Sequence, residues 1–203
     1  MFLEKMVAIK RGEIFRKKDP SRLRELKKKA EDLPPPRDFE RAILQNGSMV
    51  KESVGLPLLQ KDFIIDPFQL YEGRIAGADA ILLIAAILSR GELLEFVKLA
   101  RCLGLFPLVE VHGEEDLEKI SGLGLSLFGI NNRNLKTLEV NLETTDRLIG
   151  RVPRGMKVIS ESGIRDRRDV ERLERAGVRG ILVGEVLMRA SDPASKIKEL
   201  LNL

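Results

Sequence analysis

The sequence predicts an α/β protein built around a parallel β-sheet, with three helices ahead of the sheet. From Gly55 onward, short apolar runs alternate with charged stretches of roughly ten residues or more, which is the pattern of βα units. The apolar runs are also continuous and do not alternate with polar residues. Such runs indicate strands that are covered on both faces, as in a barrel or a doubly wound sheet.

Six strands and six following helices can be assigned. The predicted strands are 57–61, 80–84, 106–111, 127–131, 157–162 and 180–183, and the predicted helices are 66–76, 91–103, 114–120, 142–149, 166–176 and 194–201. A (β/α)8 barrel needs eight such units and about 250 residues. A chain of 203 residues with six units is therefore roughly two units short of a complete barrel.

The first part of the chain is predicted to be helical. Apolar residues recur at helical spacing from Leu3 to Ile14, and Pro20 begins a second helix. The three prolines at 34–36 end that helix, because proline donates no backbone hydrogen bond and excludes its predecessor from helical geometry. A short helix follows at 38–44. We expect one domain over 1–203, with the helices in 1–44 and the βα units in 53–203.

Composition excludes several classes of protein. The net charge of +4 comes from 35 basic and 31 acidic residues that are interspersed, so no basic surface for nucleic acid is indicated. With no Trp and one Tyr, there is also little for nucleic-acid bases to stack on. One Cys and one His provide neither a disulfide framework nor a metal cluster. We therefore expect no cofactor and no nucleic-acid partner.

Localisation is also predicted from the sequence. The longest apolar stretch, 78–88, is interrupted by Asp79 and is shorter than the roughly 20 residues of a membrane span, and the first residues show no secretory pattern. A soluble, cytoplasmic protein without a membrane partner is expected. The 33% of charged residues, beside only three Gln, is typical of proteins from thermophiles.

Polar residues or glycines stand at the ends of most predicted strands. In parallel α/β proteins this carboxyl edge is where ligands bind and catalytic groups project. Five of the six strands end in this way, with Lys61, Glu110, Asn131, Ser162 and Gly184. The repetition predicts one site at that edge.

Each of these residues also has an ordinary structural interpretation. Lys61 ends an apolar strand, where a desolvated ammonium can act as a general acid, but strand-end lysines often simply reach solvent. Glu110 lies between aliphatic residues, so it either faces the ligand site or belongs to a buried ion pair. His112 is the only histidine, and we interpret it as a partly exposed, hydrogen-bonded residue without a catalytic role.

Two features predict an anion site. Arg133 follows the fourth predicted strand, where a guanidinium suits a carboxylate or a phosphate, although the asparagines beside it also fit a turn. Gly163 and Gly184 follow the last two strands and let a ligand approach backbone amides near the next helix. In barrels, phosphate commonly binds at these two positions.

Six sequence motifs together resemble one family. They occur in the order PLLQKDFIID at 57–66, AGADAILLI at 76–84, LVEVH at 108–112, GINNRNL at 129–135, ESGI at 161–164 and VGEVLM at 183–188. They are similar to the third to eighth strands of indole-3-glycerol-phosphate synthases, and the opening helices resemble the N-terminal extension of that family. The resemblance implies a (β/α)8 TIM barrel with an N-terminal helical extension.

The resemblance also implies an activity and a set of site residues. The activity is that of a carboxy-lyase of tryptophan biosynthesis, which closes the ring of 1-(2-carboxyphenylamino)-1-deoxyribulose 5-phosphate without a cofactor and with loss of carbon dioxide and water. The implied catalytic residues are Lys61 as general acid, Glu110 in proton transfer and Asn131 holding the reacting hydroxyls. The substrate pocket would comprise Phe63, Leu82, Arg133, Leu135, Glu161 and Ser162, and the phosphate site Gly163, Gly184 and Glu185. A monomer or weak homodimer is expected.

One departure from the family is plain. The family carries a first-strand motif with a catalytic Glu and Lys and then a Ser-Pro-Ser phosphate loop, and nothing in 44–52 resembles it. On the order of 50 residues, the length of two βα units, are missing. A catalytically impaired relative that keeps the phosphate site and acts as a binding or assembly module is therefore the alternative. Phosphoribosylanthranilate isomerase fits less well, because it uses a cysteine and Cys102 lies within a predicted helix.

Overall fold

The computed structural model describes residues 2–46 and 56–203 of the chain. Most of the stretch 44–52, where the first-strand motif is missing, lies outside the described residues. The helices are α1 Phe2–Lys17, α2 Pro20–Glu31, α3 Phe39–Asn46, α4 Pro67–Ile75, α5 Arg90–Cys102, α6 Glu114–Ile120, α7 Glu143–Ile149, α8 Arg167–Ala176, α9 Glu185–Arg189 and α10 Pro193–Leu201. In this part of the chain, no helix combines the length and apolar character needed to cross a membrane.

The strands follow one another in the sheet in the order of the chain. They are β1 Leu59–Gln60, β2 Ala80–Ile84, β3 Phe106–Val111, β4 Leu127–Asn131, β5 Lys157–Glu161 and β6 Gly180–Leu182, in the order β1-β2-β3-β4-β5-β6. The pairs β1–β2, β4–β5 and β5–β6 are parallel. A doubly wound sheet reverses its strand order at a switch point, whereas a (β/α)8 barrel does not. The described strands therefore have the order of a partial (β/α)8 barrel.

The predicted element bounds are confirmed with small differences. β2, β3, β4 and α6 have the predicted bounds, and the first strand is shorter, so Lys61 comes directly after β1 instead of ending it. The helix α9 was not predicted. Its five residues carry no side-chain cap, so the sequence has no start signal of the kind that Asp19 or Asp66 provides for other helices.

Contacts divide the chain into two compact units, Met1–Val109 and Glu110–Leu203. In the first unit, α2 begins at the predicted Pro20, and the side chain of Asp19 accepts hydrogen bonds from the backbone of Ser21 and Arg22 at 2.8 and 2.9 Å. The guanidinium of Arg22 lies 5.9 Å from the ring centroid of Phe68 in α4. The contact between Arg22 and Phe68 links α2 to the first βα unit.

Asp79 connects the N-terminal segment to the sheet of the first unit. Its carboxylate is 4% exposed and accepts hydrogen bonds from the backbone N–H of Arg37 at 2.6 Å and of Leu58 at 2.7 Å. The Arg37 guanidinium forms an ion pair with it at 2.7 Å. Burial raises the pKa of Asp79, but these donors outweigh burial and hold the pKa below its ordinary value. Phe39 stacks on Phe106 with ring centroids 5.4 Å apart.

Each unit has an apolar core. In the first unit the core lies between β2 and helices α4 and α5, and its fully buried members include Ile64, Phe68, Leu70, Ile81, Leu83 and Leu93. In the second unit it lies between the strands β4 and β5 and helices α7 and α8, and includes Leu127, Phe128, Ile130, Leu148, Ile159 and Leu173. Burying such side chains removes apolar surface from water, which is the main force that holds these layers together.

Candidate active site

In the first unit, the predicted site residues Lys61 and Phe63 lie in the loop that follows β1. Lys61 is exposed and Phe63 is half-buried. The side chain of Gln69, 3% exposed, orders this loop: its Oε1 accepts from the backbone N–H of Ile65 at 2.9 Å, and its Nε2 donates to the carbonyl of Phe63 at 2.9 Å. The loop carrying Lys61 is therefore held by a buried amide.

The helix α1 also contacts this loop. Lys10 Nζ lies 2.9 Å from Asp62 Oδ2, and Asp62 Oδ1 accepts from the backbone N–H of Phe63 at 2.7 Å. The third predicted site residue of this unit, Leu82, is 2% exposed in the middle of β2. The first unit thus carries an exposed ammonium on a loop that both α1 and α4 contact.

In the second unit, Glu110 belongs to a cluster of charged side chains at the end of β3. Glu110 is 1% exposed, and its Oε1 lies 3.1 Å from His112 Nε2. On the other side, Asp116 Oδ2 lies 3.8 Å from His112 Nδ1 and accepts from the His112 backbone N–H at 2.9 Å. The carboxyl groups of Glu110 and Asp116 thus lie on either side of the His112 ring.

The charges of this cluster shift one another's pKa. Burial lowers the pKa of His112, but the carboxylates of Asp116 and Glu110 outweigh it and raise the pKa to about 9. Burial raises the pKa of Asp116, but His112 and the nearby ammonium of Lys119 hold it below its ordinary value. At neutral pH, His112 is therefore an imidazolium between two acidic side chains.

Asn131 and Arg133 follow one another around a turn at the end of β4. Asn131 is 6% exposed, and its Oδ1 accepts from the backbone N–H of Arg133 at 2.9 Å. Arg133 Nη2 lies 3.0 Å from Glu185 Oε2, and Nη1 donates to the carbonyl of Leu138 at 3.3 Å. Leu135 is half-buried in the same loop. The loop asparagine thus forms a turn, as its structural interpretation predicted, and the turn presents Arg133.

The end of β5 holds a buried carboxylate and a left-handed turn. Glu161 is fully buried. A Cβ on Gly129 of β4 would lie 2.0 Å from Glu161 Oε1, so a larger residue at 129 would force this carboxylate to shift. Ser162 and Gly163 follow with φ of 66° and 82°. A left-handed conformation is ordinary for glycine but costs energy for serine, so the Ser162 backbone must be held by its surroundings.

Gly184 and Glu185 begin α9. Gly184 has open space where a Cβ would be, and its carbonyl accepts from the backbone of Leu187 and Met188. The Glu185 side chain contacts two arginines, Arg133 at 3.0 Å and Arg189 at 2.8 Å. This carboxylate faces cations, so an anionic ligand at this position would use the backbone and not the Glu185 side chain.

Several predicted residues are brought together within the second unit. Asn131 pairs with Glu161, and Glu161 pairs with Leu182, in the parallel register of β4, β5 and β6. Arg133 and Glu185, 52 positions apart in the chain, are in contact. Lys61, Phe63 and Leu82 belong to the first unit, and their proximity to Glu110 stays a prediction. No cluster of metal-ligating side chains occurs among residues 2–46 and 56–203.

Sequence reasoning missed four buried polar residues beside these positions. Gln69 holds the loop after β1, and Asn132, Thr145 and Ser160 form a network beside the end of β5. A capping-box pattern from Asp66 to Gln69 was visible in the sequence, whereas the members of the network lie up to 28 positions apart and have no local signal.

Comparison with known proteins decides the family. The model of the family described as indole-3-glycerol phosphate synthase matches residues 46–200. The chain belongs to this family. It is 36% identical to the indole-3-glycerol phosphate synthase of Desulforamulus reducens over 256 aligned residues, which cover 98% of the chain and 97% of that protein. It is 48% identical to the synthase of Acetivibrio thermocellus over 150 residues, which cover 74% of the chain and 58% of that protein.

These alignments also bear on the missing segment. An alignment of 256 residues contains at least 53 positions that a chain of 203 residues cannot fill. The alignments with the synthases of Salinibacter ruber and Desulfotalea psychrophila cover 53% and 63% of the length of those proteins. The chain is thus a shortened member of the synthase family, as the count of six βα units predicted.

Solved structures support the fold. The chain is similar to 3-hexulose-6-phosphate synthase from Salmonella typhimurium, with a TM-score of 0.62 and 15% identity over 72% of each chain. It is similar to the tryptophan synthase α-subunit of Pyrococcus furiosus, with a TM-score of 0.52 and 24% identity over 68% of this chain and 60% of that one. At these identities the likeness concerns the fold alone, and it agrees with a partial (β/α)8 architecture.

Proposed function

We propose that this chain is an indole-3-glycerol-phosphate synthase, a carboxy-lyase that closes 1-(2-carboxyphenylamino)-1-deoxyribulose 5-phosphate to indole-3-glycerol phosphate. The match of residues 46–200 to the family carries this proposal. The reaction makes a carbon–carbon bond and releases carbon dioxide and water. It requires a proton donor at the ketose carbonyl, a group that moves protons during condensation and dehydration, and a site for the phosphate.

Lys61 and Glu110 are proposed for the proton transfers. Lys61 is an exposed ammonium on a loop that buried Gln69 orders, which suits a group that must meet a substrate at a set position. Glu110 is a nearly fully buried carboxylate beside the His112 imidazolium. Asn131 is proposed to hold the reacting hydroxyls. Support comes from its position at the carboxyl end of β4, the edge at which barrel enzymes carry their catalytic residues.

The remaining residues are proposed to bind the substrate. Arg133 would bind the anthranilate carboxylate, because its guanidinium is half-buried and already pairs with a carboxylate, that of Glu185. The apolar walls would be Phe63, Leu82 and Leu135, and the floor Glu161 and Ser162. The phosphate would be held by backbone amides at Gly163, Gly184 and Glu185, since the first two follow strand ends without side chains of their own.

The alternative is an impaired relative that keeps phosphate binding and has lost turnover. The observation that favours it is the set of at least 53 unfilled positions in the full-length alignment, together with the absence of the family's first-strand motif. Such a chain would serve as a binding or assembly module. The proposed cytoplasmic location, the origin from a thermophile and the monomer or weak homodimer belong to both hypotheses.

A steady-state assay with the phosphorylated ketose separates the two hypotheses. Formation of indole-3-glycerol phosphate by the purified 203-residue chain supports the synthase. Binding of inorganic phosphate without turnover supports the impaired relative, and the absence of both would contradict the family's function altogether.

The variant Lys61→Ala then tests the proposed acid. We expect turnover to fall by at least about a hundredfold, which is the usual effect of removing a general acid, with an unchanged melting temperature because Lys61 is exposed. Lys198→Ala, which removes an exposed lysine of α10, is the matched control and should keep full activity. Equal rates for the two variants would remove Lys61 from the mechanism.

A further inference from the structure

A buried polar network lies beside the end of β5, and no proposed function uses it. Its three members, Asn132, Thr145 and Ser160, are 2%, 0% and 0% exposed. Asn132 Oδ1 accepts from the backbone N–H of Thr145 at 3.1 Å and from its hydroxyl at 2.8 Å. The hydroxyls of Thr145 and Ser160 are 2.9 Å apart. Buried polar groups that are fully hydrogen-bonded rigidify their surroundings, because each broken bond leaves an unsatisfied group in a low dielectric.

The amide nitrogen of Asn132 points to the turn that follows β5. Its Nδ2 lies 2.9 Å from Ser160 Oγ, 3.0 Å from the carbonyl of Glu161 and 3.0 Å from the carbonyl of Ser162. The backbone N–H of Asn132 also donates to the Glu161 carbonyl at 2.8 Å. One side chain thus contacts three consecutive residues at the end of β5.

This contact falls where the backbone is strained. Ser162 has a φ of 66°, which is unfavourable for a residue with a side chain and persists only when neighbouring groups hold it. On its other side, the Ser162 backbone N–H donates to the carbonyl of Leu182 in β6 at 3.3 Å. Ser162 is therefore held from two directions, by Asn132 through its carbonyl and by β6 through its N–H.

We infer that Asn132 is a positioning residue that holds the Ser162–Gly163 turn in its left-handed conformation, fixed against the loop after β4. Asn132 stands between Asn131 and Arg133 in the chain, so the same residue ties both of these to the turn. The Gly163 amide is thereby preset for an oxygen of a phosphate ester. The identity of that ligand rests on the proposed function, whereas the positioning of the turn does not.

An asparagine is needed at this position on chemical grounds. An aspartate side chain in place of Asn132 would offer no donor to the carbonyls of Glu161 and Ser162 and would place a negative charge against them. An alanine would remove the side-chain donor to the Ser162 carbonyl, and it would leave the Glu161 carbonyl only the backbone N–H of residue 132 and the Thr145 N–H only the Leu142 carbonyl. Ser160 is the matched control. Its hydroxyl is one of three acceptors around Nδ2, and Ser160→Ala leaves both carbonyl contacts in place.

Amide hydrogen exchange of the full chain without ligand tests the inference. In Asn132→Ala, we expect the Ser162 amide to exchange about tenfold faster. The reference is the Lys157 amide at the start of β5, which donates to the Ser126 carbonyl and whose exchange rate should change less than about twofold. Ser160→Ala should leave the ratio of the two rates within about twofold of the wild type. Equal acceleration of both amides in Asn132→Ala would mean general destabilisation and would overturn the inference.

Two further measurements cover the remaining outcomes. If Asn132→Ala does not fold, Thr145→Val removes the hydroxyl that donates to Asn132 Oδ1 and contacts the Ser160 hydroxyl, while the backbone N–H of residue 145 stays. It should accelerate Ser162 exchange about threefold without affecting Lys157, and no change would overturn the inference. Titration with inorganic phosphate should show about tenfold weaker binding in Asn132→Ala than in Ser160→Ala. A wild type that binds no phosphate would contradict the proposed function, while the exchange result would still decide the role of Asn132.

Discussion

Removing the proton from His112 should destabilise the folded chain. The imidazole lies between the carboxylates of Glu110 and Asp116, with its nitrogens 3.1 and 3.8 Å from their oxygens. Burial alone would favour the neutral ring, but the two carboxylates favour the imidazolium and raise the pKa of His112 to about 9. Deprotonation removes the positive charge that both carboxylates face, so the attraction that favours the folded state is lost.

The size and direction of the effect follow from the linkage between proton binding and folding. The pKa rises from 6.5 in the unfolded chain to about 9 in the folded one, and each unit corresponds to about 1.4 kcal/mol, so the imidazolium contributes about 3 kcal/mol. Because the folded pKa is the higher one, this stabilisation is complete below pH 6.5. It is lost progressively as the pH rises from 6.5 through about 9.

Two measurements test this. The chain has a single histidine, so one imidazole proton resonance reports the pKa of His112 in an NMR titration without assignment. Urea unfolding below pH 6.5 and above pH 9 measures the change in free energy, and His112→Gln should remove most of that change. A titration midpoint at or below 6.5 would refute the arrangement of charges described for this cluster.

Three further substitutions should change stability by amounts that the contacts set. Gly163→Ala should destabilise the fold by about 3 kcal/mol, because it adds left-handed strain and places a Cβ 2.6 Å from Val140 Cγ1; urea unfolding measures this. Asp79→Ala should cost about 2 kcal/mol in the same assay, since it leaves buried donors unsatisfied. The folded pKa of this carboxylate is depressed, so the wild type should lose the same stabilisation as the pH falls and acid protonates Asp79. Lys10→Met, which removes the ion pairs with Asp62 and Glu13, should cost less than about 1 kcal/mol and lower the melting temperature by at most a few degrees.

Matched controls isolate each cause. Gly155 also has a left-handed φ, of 88°, but has open space where a Cβ would be, so Gly155→Ala should show the strain alone, about 1 kcal/mol. Asp32→Ala and Lys17→Met change exposed residues and should leave stability within about 0.5 kcal/mol of the wild type. A Gly163→Ala variant no less stable than Gly155→Ala would contradict the close packing against Val140.

Much of the fold was predictable because its signals are local. The bounds of β2, β3 and β4 follow from continuous apolar runs, and the starts of α2 and α4 follow from an aspartate before a proline, which caps the helix and fits its first turn. The short helix α9 was missed because five residues without a cap carry no such signal. The family was predictable from six motifs in order, and the comparisons confirm it.

The candidate site was predictable only in part. Strand-end positions named Lys61, Glu110, Asn131 and Ser162 as candidates, because every strand of a parallel sheet ends at the same edge. Their roles stay proposals. What no local pattern indicated is which partners these residues have, such as the pairing of Arg133 with Glu185 across 52 positions.

The sequence by itself determined the order and kind of the elements and the family, since hydrophobic periodicity and capping depend on residues a few positions apart. Only the tertiary structure decided the surroundings of the polar groups. The charge on His112 depends on Glu110 and Asp116, the conformation of Ser162 depends on Asn132, and these are properties of distance and burial. Electrostatic and hydrogen-bond energies depend on separation in space, which the spacing of residues along the chain does not set.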